Sequence, residues 1–323
     1  MPSSYIIVGG AGFIGSHFTD RLLADPNTAR VTLFDNFTSG RAWHYAAHTA
    51  DPRFRVIRND AKELAALCAA VEGHEVVIHL ASNPDIARAV REPDIDFREG
   101  TLLTNNVLEA ARQTGAHTLL YASGSGVYGD LGTVEAEENH APLRPISTYG
   151  ASKLAGEAMI SAYSYMFGLR ACMFRFGNVV GPRQTHGVGF DFIRALRRDG
   201  SSLRILGDGT QSKSYIHVHD VIDAVLLAAR RQEQSCDVYN VATGDYITVR
   251  EIADLAVETV GLAPGSVAYE FSGGDRGWKG DVPVVRLSCG RIRALGWPGA
   301  MPTREALRRS LSALDEQVSR ADV

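Results

Sequence analysis

The sequence predicts an α/β protein, a doubly wound parallel sheet with a smaller C-terminal lobe. Three observations predict it. Short apolar runs alternate with segments of helical period through the first half of the chain. A glycine-rich turn joins the first run to the first helix. After Asn178 the alternation gives way to shorter elements separated by glycine loops such as 207–210 and 273–277.

Residues 5–8 form an apolar strand, Gly9, Gly12 and Gly15 punctuate the following turn, and Phe13 opens a segment of helical period running to Leu22. Strand, glycine turn and helix in that order make a dinucleotide cradle. One glycine permits the tight turn, one lets a pyrophosphate reach backbone, one allows close packing of helix on strand, and the helix N-terminus faces the anion. The spacing is G-x-x-G-x-x-G rather than G-x-G-x-x-G, so the flanking strand, helix and acid carry the reading. That acid is Asp35, at the end of a second strand over 31–34, where a carboxylate can accept from a ribose diol. Asp35 would repel a 2′-phosphate and so favours NAD over NADP, with Arg41 as a nearby counterweight.

Residues 36–50 show no clear period. A third strand over 54–57 ends near Asp60, beside the place of an adenine, and 62–71 is helical. Residues 75–81 read as a buried strand with small residues at its end, 97–114 as a long helix with an apolar stripe, and 117–122 as another strand. Loop-like chain over 130–146 precedes a helix over 147–167 and a strand over 170–176. Domains are expected at 1–177 and 178–323, with strand exchange between them, a helix beginning at Val221 capped by Asp220, and fraying over 319–323.

Bulk properties bound the function. At 323 residues the chain supports a large core, and 45% hydrophobic with 22% charged residues is ordinary for a globular protein. A net charge of −4 offers no basic surplus for nucleic acid, so a small anion is the expected partner. The four cysteines are far apart and form no Cys/His cluster, and His186, His217 and His219 lack the spacing of a metal site. His79, ending a strand, reads as a core or cofactor-edge residue. With no apolar run long enough to span a bilayer and no leader pattern, a cytoplasmic protein without membrane or metal is expected.

Tyr149 and Lys153 stand four apart on one helix face. An ammonium beside a phenol favours the phenolate, which makes the tyrosine a base. Together with residues 9–15, Asp35-Asn36, His79-Leu80-Ala81, Val127-Tyr128-Gly129, residues 175–182 and residues 207–211, this pair resembles the extended short-chain dehydrogenase/reductase family. The resemblance spans nearly the whole chain and is greatest to nucleotide-sugar epimerases of the UDP-glucose 4-epimerase type.

The resemblance implies a Rossmann-like fold with a substrate-binding lobe. It implies NAD held by Gly9, Gly12, Phe13, Ile14, Gly15, Asp35, Asn36, Asp60, Ala61, Leu80, Ala81, Tyr149 and Lys153, and a nucleotide-diphosphate sugar contacted by Asn178, Lys213 and Arg276, with Arg183 less certain. Tyr149 would take the proton of the sugar 4-hydroxyl while hydride leaves C4, and the 4-keto sugar would take the hydride back on its other face. A homodimer is implied, through the helices at 102–111 and 149–167. Two positions depart from the family. Gly124 stands where a Ser or Thr usually meets the 4-hydroxyl, leaving Ser123 and Ser125 as candidates, of which Ser125 is preferred as the catalytic hydroxyl. Gly100 stands where an Asn usually lies near the nicotinamide, with Glu99 adjacent. The acid pair of the 4,6-dehydratases and the glutamate of the decarboxylases are replaced by Ser125 and Gly126, which disfavours both reactions. A ketoreductase and a non-catalytic nucleotide-binding protein are the remaining alternatives.

Overall fold

A computed structural model describes residues 3–320. The chain folds as two compact units that interleave in sequence, one of Met1–Val127, Ser147–Arg175 and Ile222–Tyr239, the other of Tyr128–Ile146, Phe176–Val221 and Asn240–Val323.

The first half runs β1 (Ser3–Val8), α1 (Phe13–Leu23), β2 (Thr28–Asp35), β3 (Phe54–Arg58), α2 (Leu64–Val71), β4 (Val76–His79), α3 (Leu102–Thr114), β5 (Thr118–Gly124), α4 (Thr148–Phe167) and β6 (Arg170–Phe176). The second half adds β7 (Asn178–Val180), α5 (Val188–Arg198), β8 (Ser202–Ile205), β9 (Ser212–Lys213), β10 (Tyr215–His217), α6 (Val218–Arg231), β11 (Cys236–Val241), β12 (Ile247–Thr248), α7 (Val249–Thr259), β13 (Ala268–Phe271), α8 (Gly290–Ala294) and α9 (Thr303–Ser319). Seven strands form one sheet in the order β11-β6-β5-β4-β1-β2-β3. The strand order reverses beside β1, the topology that puts a ligand crevice at the carboxyl ends of the central strands. Parallel registers such as Ile7↔Leu33 and Ile7↔Ile78 place β1 between β2 and β4, and Ile6 and Ile7, which point to opposite faces, are both fully enclosed, so β1 is buried on each face.

One core of this unit packs β1, β4 and β5 against α2, α3 and α4 through Val77, Leu67, Val107, Leu119 and Ile160. The second unit has its own core, where α5, α7 and α9 meet through Ile193, Ile252, Leu307 and Leu311. Among the described residues no helix is long and apolar enough to cross a membrane.

Several elements differ from the expectations. The segment before α3 is a π-turn over Phe97–Thr101 rather than the start of an α-helix, and such turns insert an extra residue into a helix. Strand β5 runs on through Ser123 and Gly124. Residues 36–50 contain two 3₁₀ turns, Ala42–His44 and Ala46–His48. Asp220 does not precede α6 but lies in its first turn, and its carboxylate accepts from the Met301 amide at 3.1 Å. Of the expected frayed end, Ser319 closes α9, and residues 321–323 lie outside the described residues.

Candidate active site

The glycine turn divides its labour. Gly9 is left-handed at φ 82°, and a side chain there would strike the Ala81 backbone at 2.7 Å, so β1 can lie this close to Ala81 only with glycine. A Cβ at Gly15 would lie 2.6 Å from Gly10, which makes Gly15 the helix-packing glycine. Gly12 differs from both. A Cβ there would meet nothing nearer than the Gly9 carbonyl at 3.4 Å. Gly12 is the N-cap of α1, no side chain caps that end, and no acid stands in the first turn. The amides leading into Phe13 and Ile14 therefore keep their partial positive charge for an anion, the arrangement a pyrophosphate requires.

Asp35 closes the same cradle. Its two oxygens accept from the Ala11 amide at 2.9 Å and the Phe37 amide at 2.7 Å, leaving further lone pairs for a diol. Burial raises its pKa and those two amides oppose the shift. Gly40, not singled out from the sequence, lets the following loop close over this carboxylate, since a Cβ there would lie 2.9 Å from the Asp35 oxygen. Asn36 and Asp60 come together, amide to carboxylate, at 3.1 Å. The carbonyls of Ala61 and Lys62 are held by the buried Asn106 at 3.0 and 3.1 Å, another residue missed because a lone helical Asn carries no sequence signal. Leu80 and Ala81 both donate their amides to the Val8 carbonyl just beyond β4. These residues form a cradle that fits NAD.

Tyr149 and Lys153 lie on the first turns of α4, whose N-cap Ser147 accepts from the Gly150 amide at 3.1 Å. Lys153 is buried, donates to the Ala122 carbonyl at 2.8 Å, and has its ammonium 5.5 Å from the centre of the Tyr149 ring. Burial drives an ammonium toward neutrality, yet the attraction of Tyr149 and then of Tyr121 outweighs it, and Lys153 sits above the usual lysine value.

The two serines part company. Ser123 is buried and donates to Glu157 at 2.5 Å, and Glu157 in turn is held by Arg175 through bonds of 3.0 and 2.7 Å. That hydroxyl is committed to a buried ion pair. Ser125 is half-buried and begins a 3₁₀ turn, and a Cβ at Gly124 would meet nothing within 4 Å. The space that a Ser or Thr at 124 would fill is therefore open. At Gly100 the reverse holds: a Cβ would lie 2.7 Å from the Ser152 hydroxyl, so the helix face takes the room of the missing side chain. Glu99 does not compensate, because it binds Lys62 at 2.6 Å.

Asn178, Lys213 and Arg276, the residues expected to contact a substrate, lie in the second unit. Asn178 is exposed at the start of β7, whose partner is β10. Lys213 and Arg276 are drawn together by one acid. Lys213 binds the Asp281 carboxylate at 2.5 Å, while Arg276 donates to the Asp281 carbonyl and to Asp130, each at 2.7 Å. Lys213 is thus paired with the Asp281 carboxylate and Arg276 with that of Asp130. Arg183 has φ 65°, and its amide donates to Gln317 at 3.0 Å. His217 is buried beside His219, and burial pushes it down to about 4.

Residues 5–242 match the NAD dependent epimerase/dehydratase family. A putative UDP-glucose 4-epimerase of Methanocaldococcus jannaschii is 31% identical over 94% of this chain and 96% of its own length. Among solved structures, a UDP-galactose 4-epimerase is 35% identical with a TM-score of 0.86, covering 98% of this chain and 99% of its own. A dTDP-glucose 4,6-dehydratase from Streptomyces venezuelae with NAD bound is 27% identical with a TM-score of 0.89, covering 98% of each chain.

Proposed function

The chain belongs to the NAD dependent epimerase/dehydratase family, and we propose that within it the protein is a 4-epimerase of a nucleotide-diphosphate sugar. One observation carries the choice of reaction. The ammonium of buried Lys153 lies 5.5 Å from the centre of the Tyr149 ring, which supports the pair as base and cation, while the two positions expected to supply acids for dehydration hold Ser125 and Gly126. A Cβ at Gly126 would lie 3.5 Å from the Gly150 Cα, an ordinary contact, so it is the identity of the residues at 125 and 126 and not a lack of room that disfavours dehydration. Removing water needs a proton donor and acceptor beside the sugar; epimerisation needs only that one proton leave the 4-hydroxyl and return.

NAD, when bound, supplies a two-electron acceptor that becomes the donor of the same hydride. Tyr149 takes the 4-hydroxyl proton as the C4–H bond breaks, giving a 4-keto sugar, and returns the proton after hydride reaches the opposite face. Lys153 stabilises the phenolate between the two transfers. Ser125 supplies the hydroxyl that orients O4, and Asn178, Lys213 and Arg276 hold the diphosphate. The exposed apolar end of α4, with Tyr165 94% and Met166 67% exposed, supports a homodimer that buries it together with α3.

The test is a panel of UDP-, GDP-, CDP- and dTDP-sugars incubated with purified protein, followed by NMR of the recovered sugar. Interconversion of C4 epimers without added NAD is expected. A stoichiometric demand for NADH would replace this reading with a ketoreductase, and a 4-keto-6-deoxy product would replace it with a dehydratase.

A further inference from the structure

Lys153 is flanked by two tyrosines, and the reaction as described uses only one. The ammonium lies 5.2 Å from the centre of the Tyr121 ring and 5.5 Å from that of Tyr149, with the Ala122 carbonyl at 2.8 Å. Tyr121 is 1% exposed. Its place is built from several sides. Gly156, one turn beyond Lys153 on α4, is bare where a Cβ would lie 2.4 Å from the Tyr121 hydroxyl. The Thr104 hydroxyl interacts with that of Tyr121, donates to the Gly100 carbonyl at 3.0 Å, and meets Nε2 of His79 at 3.1 Å. With Thr104 donating to the carbonyl, His79 must present Nε2–H, and its ring lies 5.4 Å from that of Tyr121. Desolvation alone would leave a buried ammonium free to neutralise or swing away. An aromatic face attracts a cation without accepting a proton, and the attraction grows where water is excluded.

We infer that Tyr121 is a positioning residue for the reaction: its ring, wedged into the Gly156 slot and anchored by Thr104, fixes the Lys153 ammonium where it serves Tyr149. The inference rests on the epimerase reading for its kinetic consequence and not for its structural one. The π-face is the working part, so a phenylalanine should serve nearly as well and an aliphatic residue should not.

Tyr121→Phe and Tyr121→Leu are compared with the unaltered holoenzyme, with Tyr121→Met standing in should the leucine variant fail to fold. In protein labelled at lysine nitrogen, the shielded Lys153 ammonium gives a slowly exchanging signal, identified by its loss in Lys153→Met. That signal should persist in Tyr121→Phe and shift or vanish in the aliphatic variant. On the sugar nucleotide that the unaltered enzyme converts, kcat should fall ~10-fold in the aliphatic variant with KM within about 2-fold, the size of a desolvated cation–π contact. An aliphatic variant with unchanged ammonium signal and kcat overturns the inference, as does a phenylalanine variant impaired as deeply as the leucine one. If the unaltered protein converts no sugar nucleotide, the epimerase reading fails, and the ammonium signal still decides the role of Tyr121.

Discussion

At the level of single side chains, the proton-transfer group and its neighbours bear different loads. Tyr149→Phe removes the proposed base while leaving the cradle of Gly9, Gly12 and Asp35 untouched, so turnover should fall ~10²–10⁴-fold. A variant that keeps its activity would remove Tyr149 from the mechanism. The open space at Gly124 permits a sharper experiment. Ser125→Ala should lower kcat by ~10-fold or more, and Gly124→Ser in that background should restore part of it, because a hydroxyl at 124 meets no steric obstacle. Failure of the double variant to gain over Ser125→Ala would count against the assignment of O4 recognition to this turn. Asp35, Tyr149 and Lys153 were legible in the sequence because each occupies a fixed place relative to a strand end or helix turn. Gly40, Asn106 and Tyr121 were not, since their roles arise from residues 5 to 45 positions away. Ser123 follows the alternation of β5: one position from Gly124, it spends its hydroxyl on the buried Glu157.

Among the elements, α4 holds both reacting-site residues and depends on its first turn. Ser147 caps that turn, and Thr148 donates to the buried Asp96 at 2.6 Å, tying the helix start to the segment before α3. Loss of the cap in Ser147→Ala should cost about 1 kcal/mol of stability. It should also lower kcat more than KM rises, because Tyr149 is the second residue of the helix. Chemical denaturation beside steady-state kinetics checks both parts; a stability loss with unaltered kcat would show that the cap does not position Tyr149. The strands and helices of the first half could be read from period alone, because buried parallel strands give continuous apolar runs. The π-turn at Phe97–Thr101 could not, as its extra residue leaves the apolar stripe of α3 intact. Nor could the start of α6, where Asp220 has the composition of a cap but bonds to the Met301 amide instead.

Over the whole molecule, pH sets stability through histidines held neutral. Burial, the larger cause in each case, pushes His79 down to about 3 and both His74 and His217 down to about 4. Their folded values lie below the ordinary value near 6.5, so it is the unfolded chain that takes up protons first as pH falls. The stability they contribute is complete above about pH 6.5 and drains away below it, by up to ~1.4 kcal/mol per pH unit for each. Urea midpoints should therefore drop between about pH 7.5 and about pH 5, and His79→Gln should flatten the dependence; equal midpoints at the two pH values would refute it. The doubly wound class was legible from the alternation of periods, and strand exchange between the two units was expected, whereas which stretches return, such as Ile222–Tyr239, was not legible, because that depends on contacts distant in sequence. The Glu157–Arg175 pair, with Ser123 upon it, pins α4 to β5 and β6 at side chains 7% exposed or less. Loss of the Arg175 charge alone would leave the Glu157 carboxylate buried without its cation, at a cost of about 3–5 kcal/mol. For descendants of this sequence, a change at 175 alone thus carries a cost that a joint change at 157 and 175 avoids, because the joint change leaves no lone carboxylate in the interior.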